Sequence, residues 1–91
     1  MAAHVKIYTT DWCGYCFAAL RLLKQKGVAY EQLDADDVRT RRWLREVTGQ
    51  STVPQIFIDG KSVGGYSDIR ELDRRGMLDR LLAGTDTHPP H

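Results

Sequence analysis

The sequence predicts an α/β protein, with a small four-stranded mixed sheet flanked by helices and a single domain over residues 1–83. Three observations carry this. Ninety-one residues suffice for one modest core, because a chain this short buries only ~60–65% of the surface it exposes when unfolded. With 42% hydrophobic and 27% charged residues, the composition is that of a globular protein. The apolar pattern also alternates between strand and helix periods, in the order β-α-β-α-β-β-α-α.

His4-Val5-Lys6-Ile7-Tyr8-Thr9 alternates, placing Val5, Ile7 and Thr9 on one side of a first strand. From Gly14 or Tyr15 to Lys26 the period turns helical. Phe17, Leu20 and Leu23 recur at threes beside Ala18, Ala19 and Leu22, which predicts a helix buried on more than one side. Gly27 stops it, since glycine tolerates positive φ. Residues 28–33 read as a second strand, parallel to the first through a right-handed crossover. Asp36 or Asp37 caps a second helix that runs to Thr48, with Val38, Leu44 and Val47 as its apolar positions. Residues 53–58 form a short apolar third strand. Asp59-Gly60 is a strong hairpin signal and returns residues 61–63 antiparallel as a fourth. After Gly64-Gly65, Ser67 caps a third helix to Arg75. Gly76 interrupts it, and residues 77–82 add a last helix with Leu78, Leu81 and Leu82 apolar. Residues 84–91, with Pro89-Pro90 and no apolar anchor, are predicted to be a disordered tail.

Charge and length exclude several functions. Thirteen basic against twelve acidic residues leave a net charge of +1, so there is no general electrostatic reason to bind nucleic acid or anionic lipid. No apolar run approaches the ~20 residues that span a bilayer. Residues 1–6 lack a charged start followed by an apolar block, which predicts a cytoplasmic protein. Two cysteines are too few to staple a secreted domain.

Those cysteines carry the chemistry. Cys13-Gly14-Tyr15-Cys16 falls where the first strand gives way to the first helix. A helix N-terminus offers free N–H groups and a partial positive charge, which stabilise a thiolate. Thiols in such settings ionise at ~3.5–7.5, against ~8.5 for a free one. Cys13 is therefore the candidate nucleophile, and Cys16, one turn on, can attack a mixed disulfide formed on it. A structural cysteine pair is the bland alternative, but this spacing in a βαβ context points to redox chemistry. Zinc would need four ligands. Only His4, His88 and His91 could assist, so no metal site is predicted.

Several segments then fall into one pattern: Ile7-Tyr8-Thr9, Trp12-Cys13-Gly14-Tyr15-Cys16, Thr52-Val53-Pro54, Gln55-Ile56-Phe57-Ile58-Asp59-Gly60 and Gly64-Gly65-Tyr66-Ser67-Asp68. Over residues 5–82 the chain resembles the glutaredoxins, closely the bacterial dithiol type. The resemblance implies a thioredoxin-like fold and glutathione-dependent exchange with protein–glutathione mixed disulfides and protein disulfides. It implies a cis Pro54, which alone would read as the start of an edge strand, and Val53 backbone groups that pair with the cysteine of glutathione. It also implies that the γ-glutamyl carboxylate sits on the helix N-terminus after Gly64-Gly65, at Gly65 and Ser67, with Asp68 taking the ammonium. Tyr15 would wall the sulfur, Trp12 would shield it, and Tyr8 would border the same cleft. Thr52 and Gln50 complete the expected glutathione site.

The chain departs from that pattern in places. Thr10 stands where many glutaredoxins carry a lysine that pairs with the glycine carboxylate of glutathione. Gln50 stands where related sequences often have arginine, although glutamine is also used there. Arg39, Arg41, Arg42 and Arg45 crowd the second helix; such a run reads as a solvated helix face, with Arg42 the one placed to reach the cleft if any does. Residues 9–16 are also similar to the mycoredoxins, so a mycothiol-dependent reductase is one alternative. A small residue after the first cysteine, here Gly14, accompanies glutathione-ligated [2Fe–2S] dimers in the family. The second alternative is therefore a cluster carrier with Cys13 as ligand. The protein is expected to be a monomer, and a dimer only if it holds a cluster.

Overall fold

The computed structural model describes residues 3–11 and 13–84. Trp12 and residues 85–91 lie outside them, and with them the expected shield, tail and C-terminal histidines. In chain order the elements are β1 (Val5–Thr9), α1 (Gly14–Gln25), β2 (Tyr30–Asp34), α2 (Val38–Thr48), β3 (Gln55–Ile58), β4 (Lys61–Gly64), α3 (Tyr66–Arg74) and α4 (Met77–Ala83). The sheet order is β2-β1-β3-β4. β1 runs parallel to β2, with Val5 opposite Tyr30, and antiparallel to β3, with Val5 opposite Ile58. β3 and β4 form the hairpin. Its turn residues Asp59 and Gly60 have φ of 52° and 82°, the paired positive values of the turn that matches strand twist.

One face of the sheet carries the main core. Val5 and Ile7 from β1 and Ile56 and Ile58 from β3 meet Ala19 and Leu23 of α1, Ile69 of α3, and Leu78 and Leu82 of α4. Thr9 is buried on the same side of β1, as the alternation predicts. Lys26, at the end of α1, bridges Asp73 of α3 and Asp79 of α4. Hydrogen bonds to those two carboxylates hold its ammonium pKa above the usual lysine value.

The opposite face is thinner. Among the described residues, α2 lies over it, with its Leu44 against Ala35 and the Phe57 side chain of β3, and with Tyr8 and Val53 packed alongside. Asp37 starts α2 by accepting the Thr40 N–H at 3.2 Å, and Gly49 ends it with φ of 79°.

Several expectations need correction. α1 buries a stripe of Cys16, Ala19 and Leu23, with Leu20 and Leu22 at its margins, while Phe17 is exposed. Val38 and Val47 are exposed as well, and in α2 only Leu44 is buried, because one helix laid on a sheet hides one narrow line of residues. β2 begins at Tyr30 rather than residue 28, since its register is set by β1. β3 begins at Gln55, after Pro54, which has no N–H for a ladder. The cap of α3 is Gly65 rather than Ser67. Ser67 lies inside the first turn, and the Asp68 carboxylate accepts the Gly65 N–H at 2.9 Å.

Candidate active site

β1 ends at Thr9, and Cys13 lies at the head of α1. Cys13 is the N-cap, with extended backbone at φ −134° and ψ 108°. Its carbonyl accepts the Phe17 N–H and opens the helix. Its sulfur accepts the Cys16 N–H at 3.2 Å, so a helix amide dipole points at the atom that must carry charge during exchange. On the other side, the Cys13 thiol donates to the Val53 carbonyl at 3.6 Å. The Val53–Pro54 peptide is cis, as the resemblance implies.

Cys16 differs sharply. It is 2% exposed, and burial pushes its thiol up to about 12, helped by the hydrogen bond with Cys13. A backbone hydrogen bond from Thr10 and the charge of Arg41 oppose this without reversing it. At neutral pH Cys16 is a thiol.

All eight candidate binding residues line one cleft of about 510 Å³. Gln50, Thr52, Val53 and Pro54 come from the loop between α2 and β3. Gly65, Ser67 and Asp68 come from the head of α3, and Tyr15 from α1. Two glycines bring these segments close. A Cβ on Gly65 would lie 3.1 Å from the Pro54 carbonyl, and Gly64, at φ +93°, lies against the Asp68 carboxylate with no room for a side chain.

Side chains hang the loop of residues 49–54 in place. The Thr48 hydroxyl donates to the Leu44 carbonyl (2.7 Å) and accepts from Gln50 N–H (3.0 Å). Arg41 donates through Nε to the Ala35 carbonyl (3.0 Å) and through Nη1 to the Ser51 carbonyl (3.3 Å). Gln55 donates through Nε2 to the Thr52 carbonyl at 2.9 Å. The inward-turned arginine of α2 is thus Arg41, while Arg42 is exposed. Alternate residues of a helix point different ways, and periodicity alone had left the angle open.

Tyr8 does not border this cleft. It lies on the α2 face, with ring centroids 5.6 Å from Trp43 and 5.7 Å from Phe57. Being out of phase with Ile7 and Thr9, it points to the other side of the sheet. Tyr66 is a wall residue that the sequence reading missed. It lines the cleft, and its ring is stacked on that of Tyr15, centroids 6.4 Å apart at 30°. An aromatic directly after a glycine pair at a helix head was the available signal. Among the described residues, no group of three or more His, Cys, Asp or Glu side chains could hold a metal ion.

The glutaredoxin family model matches residues 5–63. The chain belongs to the glutaredoxin family. Glutaredoxin 3 of Escherichia coli K12 is 46% identical over 81 residues, which cover 88% of this chain and 98% of that protein. A glutaredoxin of Pseudomonas aeruginosa is 45% identical over 80 residues, covering 87% and 95%. Among solved structures, the solution structure of a Brucella melitensis glutaredoxin superposes with a TM-score of 0.83 at 39% identity, covering 92% of each chain. The crystal structure of a buckwheat glutaredoxin–glutathione complex gives 0.84 at 31% identity, over 90% of this chain and 78% of that one. The fold is thioredoxin-like, and the chain is a thiol–disulfide oxidoreductase. Its Cys13–Cys16 pair marks it as a dithiol glutaredoxin.

Proposed function

We propose that this glutaredoxin uses glutathione as its thiol and reduces protein–glutathione mixed disulfides and protein disulfides through Cys13. The observation that carries the reading is the placement of the Cys13 sulfur, 3.6 Å from the Val53 carbonyl, at a cleft that offers an amide side chain from Gln50 and a carboxylate from Asp68. A tripeptide with a carboxylate at each end and one ammonium needs donors at both ends and an acceptor at one of them. The α3 head supplies N–H donors and Asp68 the acceptor, Gln50 supplies donors at the far end, and the Val53 backbone can pair with the central cysteine as an added strand would.

The Cys13 thiolate attacks the glutathione sulfur of a mixed disulfide. A Cys13–glutathione disulfide forms, and the protein sulfur leaves as a thiolate that takes up a proton. A second glutathione thiolate then attacks the glutathione sulfur, releasing glutathione disulfide and restoring the Cys13 thiolate. With a protein disulfide, the Cys13 thiolate attacks one sulfur, forming a Cys13–substrate mixed disulfide and releasing the other sulfur as a thiolate that takes up a proton; Cys16 then gives up its proton and attacks Cys13 Sγ. This frees the substrate thiol and leaves a Cys13–Cys16 disulfide, which two glutathiones reduce. Because burial holds Cys16 as a thiol, its attack requires loss of that proton. The proposed setting is the cytoplasm, supported by cysteine usage confined to the exchanging pair, and the working unit is a monomer.

One competing use of the same sulfur is a shared [2Fe–2S] cluster. Each copy offers one accessible cysteine, since Cys16 is buried, so a cluster would require a second copy and outside thiols. The deciding experiment compares turnover with glutathione and with mycothiol, on aerobically and anaerobically purified protein. Gel filtration and a visible spectrum accompany it. Saturable turnover with glutathione by a colourless monomer supports the reading. Turnover with mycothiol alone, or a coloured dimer without exchange activity, overturns it.

A further inference from the structure

Gln55 is the first residue of β3 and 1% exposed, an uncommon place for an uncharged amide inside a strand otherwise made of Ile56, Phe57 and Ile58. Its Nε2 lies 2.9 Å from the Thr52 carbonyl, 3.2 Å from Gln50 Oε1 and 3.4 Å from Thr52 Oγ1. A backbone carbonyl can only accept, so the end of Gln55 facing Thr52 must be the NH₂ end. That group has two hydrogens. One serves the Thr52 carbonyl, and the other is directed to Gln50, whose facing atom must therefore be its oxygen. Gln55 Oε1, meanwhile, is buried with no hydrogen-bond partner among the described residues, which native interiors seldom tolerate. An apolar residue of the same size would fill the space without that orphan, so what the amide adds here is its NH₂ group.

The consequence lies one side chain further out. Gln50 is exposed and lines the cleft. A free glutamine amide can present either its oxygen or its nitrogen to a ligand. With the oxygen engaged by Gln55, Gln50 keeps both N–H donors for the cleft. We propose that Gln55 is a positioning residue that fixes the polarity of Gln50, turning a neutral side chain into a donor-only group that selects a carboxylate on the thiol co-substrate. Gln50 thereby does the work of a cation at a site that has neither a lysine at residue 10 nor an arginine at residue 50. The inference rests on the proposed glutathione reading and names the residue that makes one end of that site specific.

The test uses Gln55→Met, of similar length without donors, and Gln55→Glu, of the same shape but acceptor-only when ionised. Steady-state kinetics with varied glutathione are measured beside the rate of Cys13 alkylation by iodoacetamide, which needs no cleft. The expected result is a rise in the KM for glutathione of roughly tenfold, with kcat and alkylation within about twofold of wild type. In a Gln50→Ala background the same Gln55 change should add less than about twofold, because the group it orients is gone. An unchanged KM in the Gln55 variants overturns the inference. So does an undiminished effect in the Gln50→Ala background, or a parallel loss of alkylation, which would make the role structural. Should Gln55→Met fail to fold, Gln55→Glu carries the same readouts. Wild-type protein that shows no saturable use of glutathione would sink the underlying functional reading instead, a result distinct from all of these.

Discussion

At the mouth of α1, Cys13 is partly exposed, precedes the first helical turn and has an amide N–H aimed at its sulfur. One turn inside, Cys16 belongs to the same stripe as Ala19 and Leu23 and keeps its proton, with its pKa at about 12. Two identical side chains three residues apart thus differ in access and in neighbours. Helix geometry produces the difference: the N-cap lies outside the cylinder with extended backbone, whereas the third residue of this helix is turned toward the sheet. That placement leaves the Cys13 sulfur accessible and the Cys16 sulfur buried behind it.

The largest effect that separates the two should come from serine substitutions. Cys13→Ser is expected to reduce exchange with a glutathionylated peptide to the uncatalysed background. Cys16→Ser should retain that reaction and lose the reduction of a protein disulfide by the dithiol route. Equal losses in an assay of both substrates would erase the distinction.

A second contrast lies in pH. The Cys16 thiol ionises at higher pH in the folded protein than in the unfolded chain. Between the ordinary thiol value near ~9 and about 12, the unfolded state releases a proton that the folded state keeps. Stability therefore falls as pH rises through that window, and the contribution is fully present below it. Denaturant titrations of the reduced protein from neutral to alkaline pH should show this loss, and Cys16→Ser should show less of it. Identical slopes would mean that Cys16 is not held as a thiol by its burial.

At the cleft, Asp68→Ala should raise the KM for glutathione by roughly tenfold, since a charge-assisted partner is lost, and should leave alkylation of Cys13 by a neutral reagent largely unaltered. Equal loss in both would reduce Asp68 to a helix cap. The smallest expected effect is that of Arg41→Met. It removes a charge that opposes the upward shift of Cys16 and one tie on the loop of residues 49–54. The dithiol step should slow by less than about fivefold, measured as the rate of Cys13–Cys16 closure after glutathionylation. No change at all would show that the arginine acts on neither.

Local patterns in the chain were enough to read the strands, the helices, the Asp59-Gly60 turn and the reactive pair, because each depends on a short period or on a residue with restricted or permissive backbone. They were also enough to gather Gln50, Thr52, Val53, Pro54, Gly65, Ser67 and Asp68 as one set, through their resemblance to a known site. What they could not supply was direction. Tyr8 faces the aromatic cluster with Trp43 and Phe57, Phe17 faces solvent, and Arg41 rather than Arg42 turns inward. Each choice depends on which neighbouring element lies across the fold, and no single stretch of sequence contains that neighbour. The cap of α3 shows the same limit. Serine is a good N-cap in isolation, yet the chain enters that helix tight against the Pro54 carbonyl, 3.1 Å from where a Gly65 Cβ would lie, and the carboxylate of Asp68 closes the turn.

The amino-acid order alone thus settled the element types and singled out Cys13 as the candidate nucleophile, both from interactions within a few residues. Packing settled the rest: the burial that keeps Cys16 protonated, the Tyr15–Tyr66 wall, and the amide of Gln55 that orients Gln50. These are contacts between distant segments. Their free energy depends on distances and solvent exclusion that come into being only when the sheet and helices close around one another.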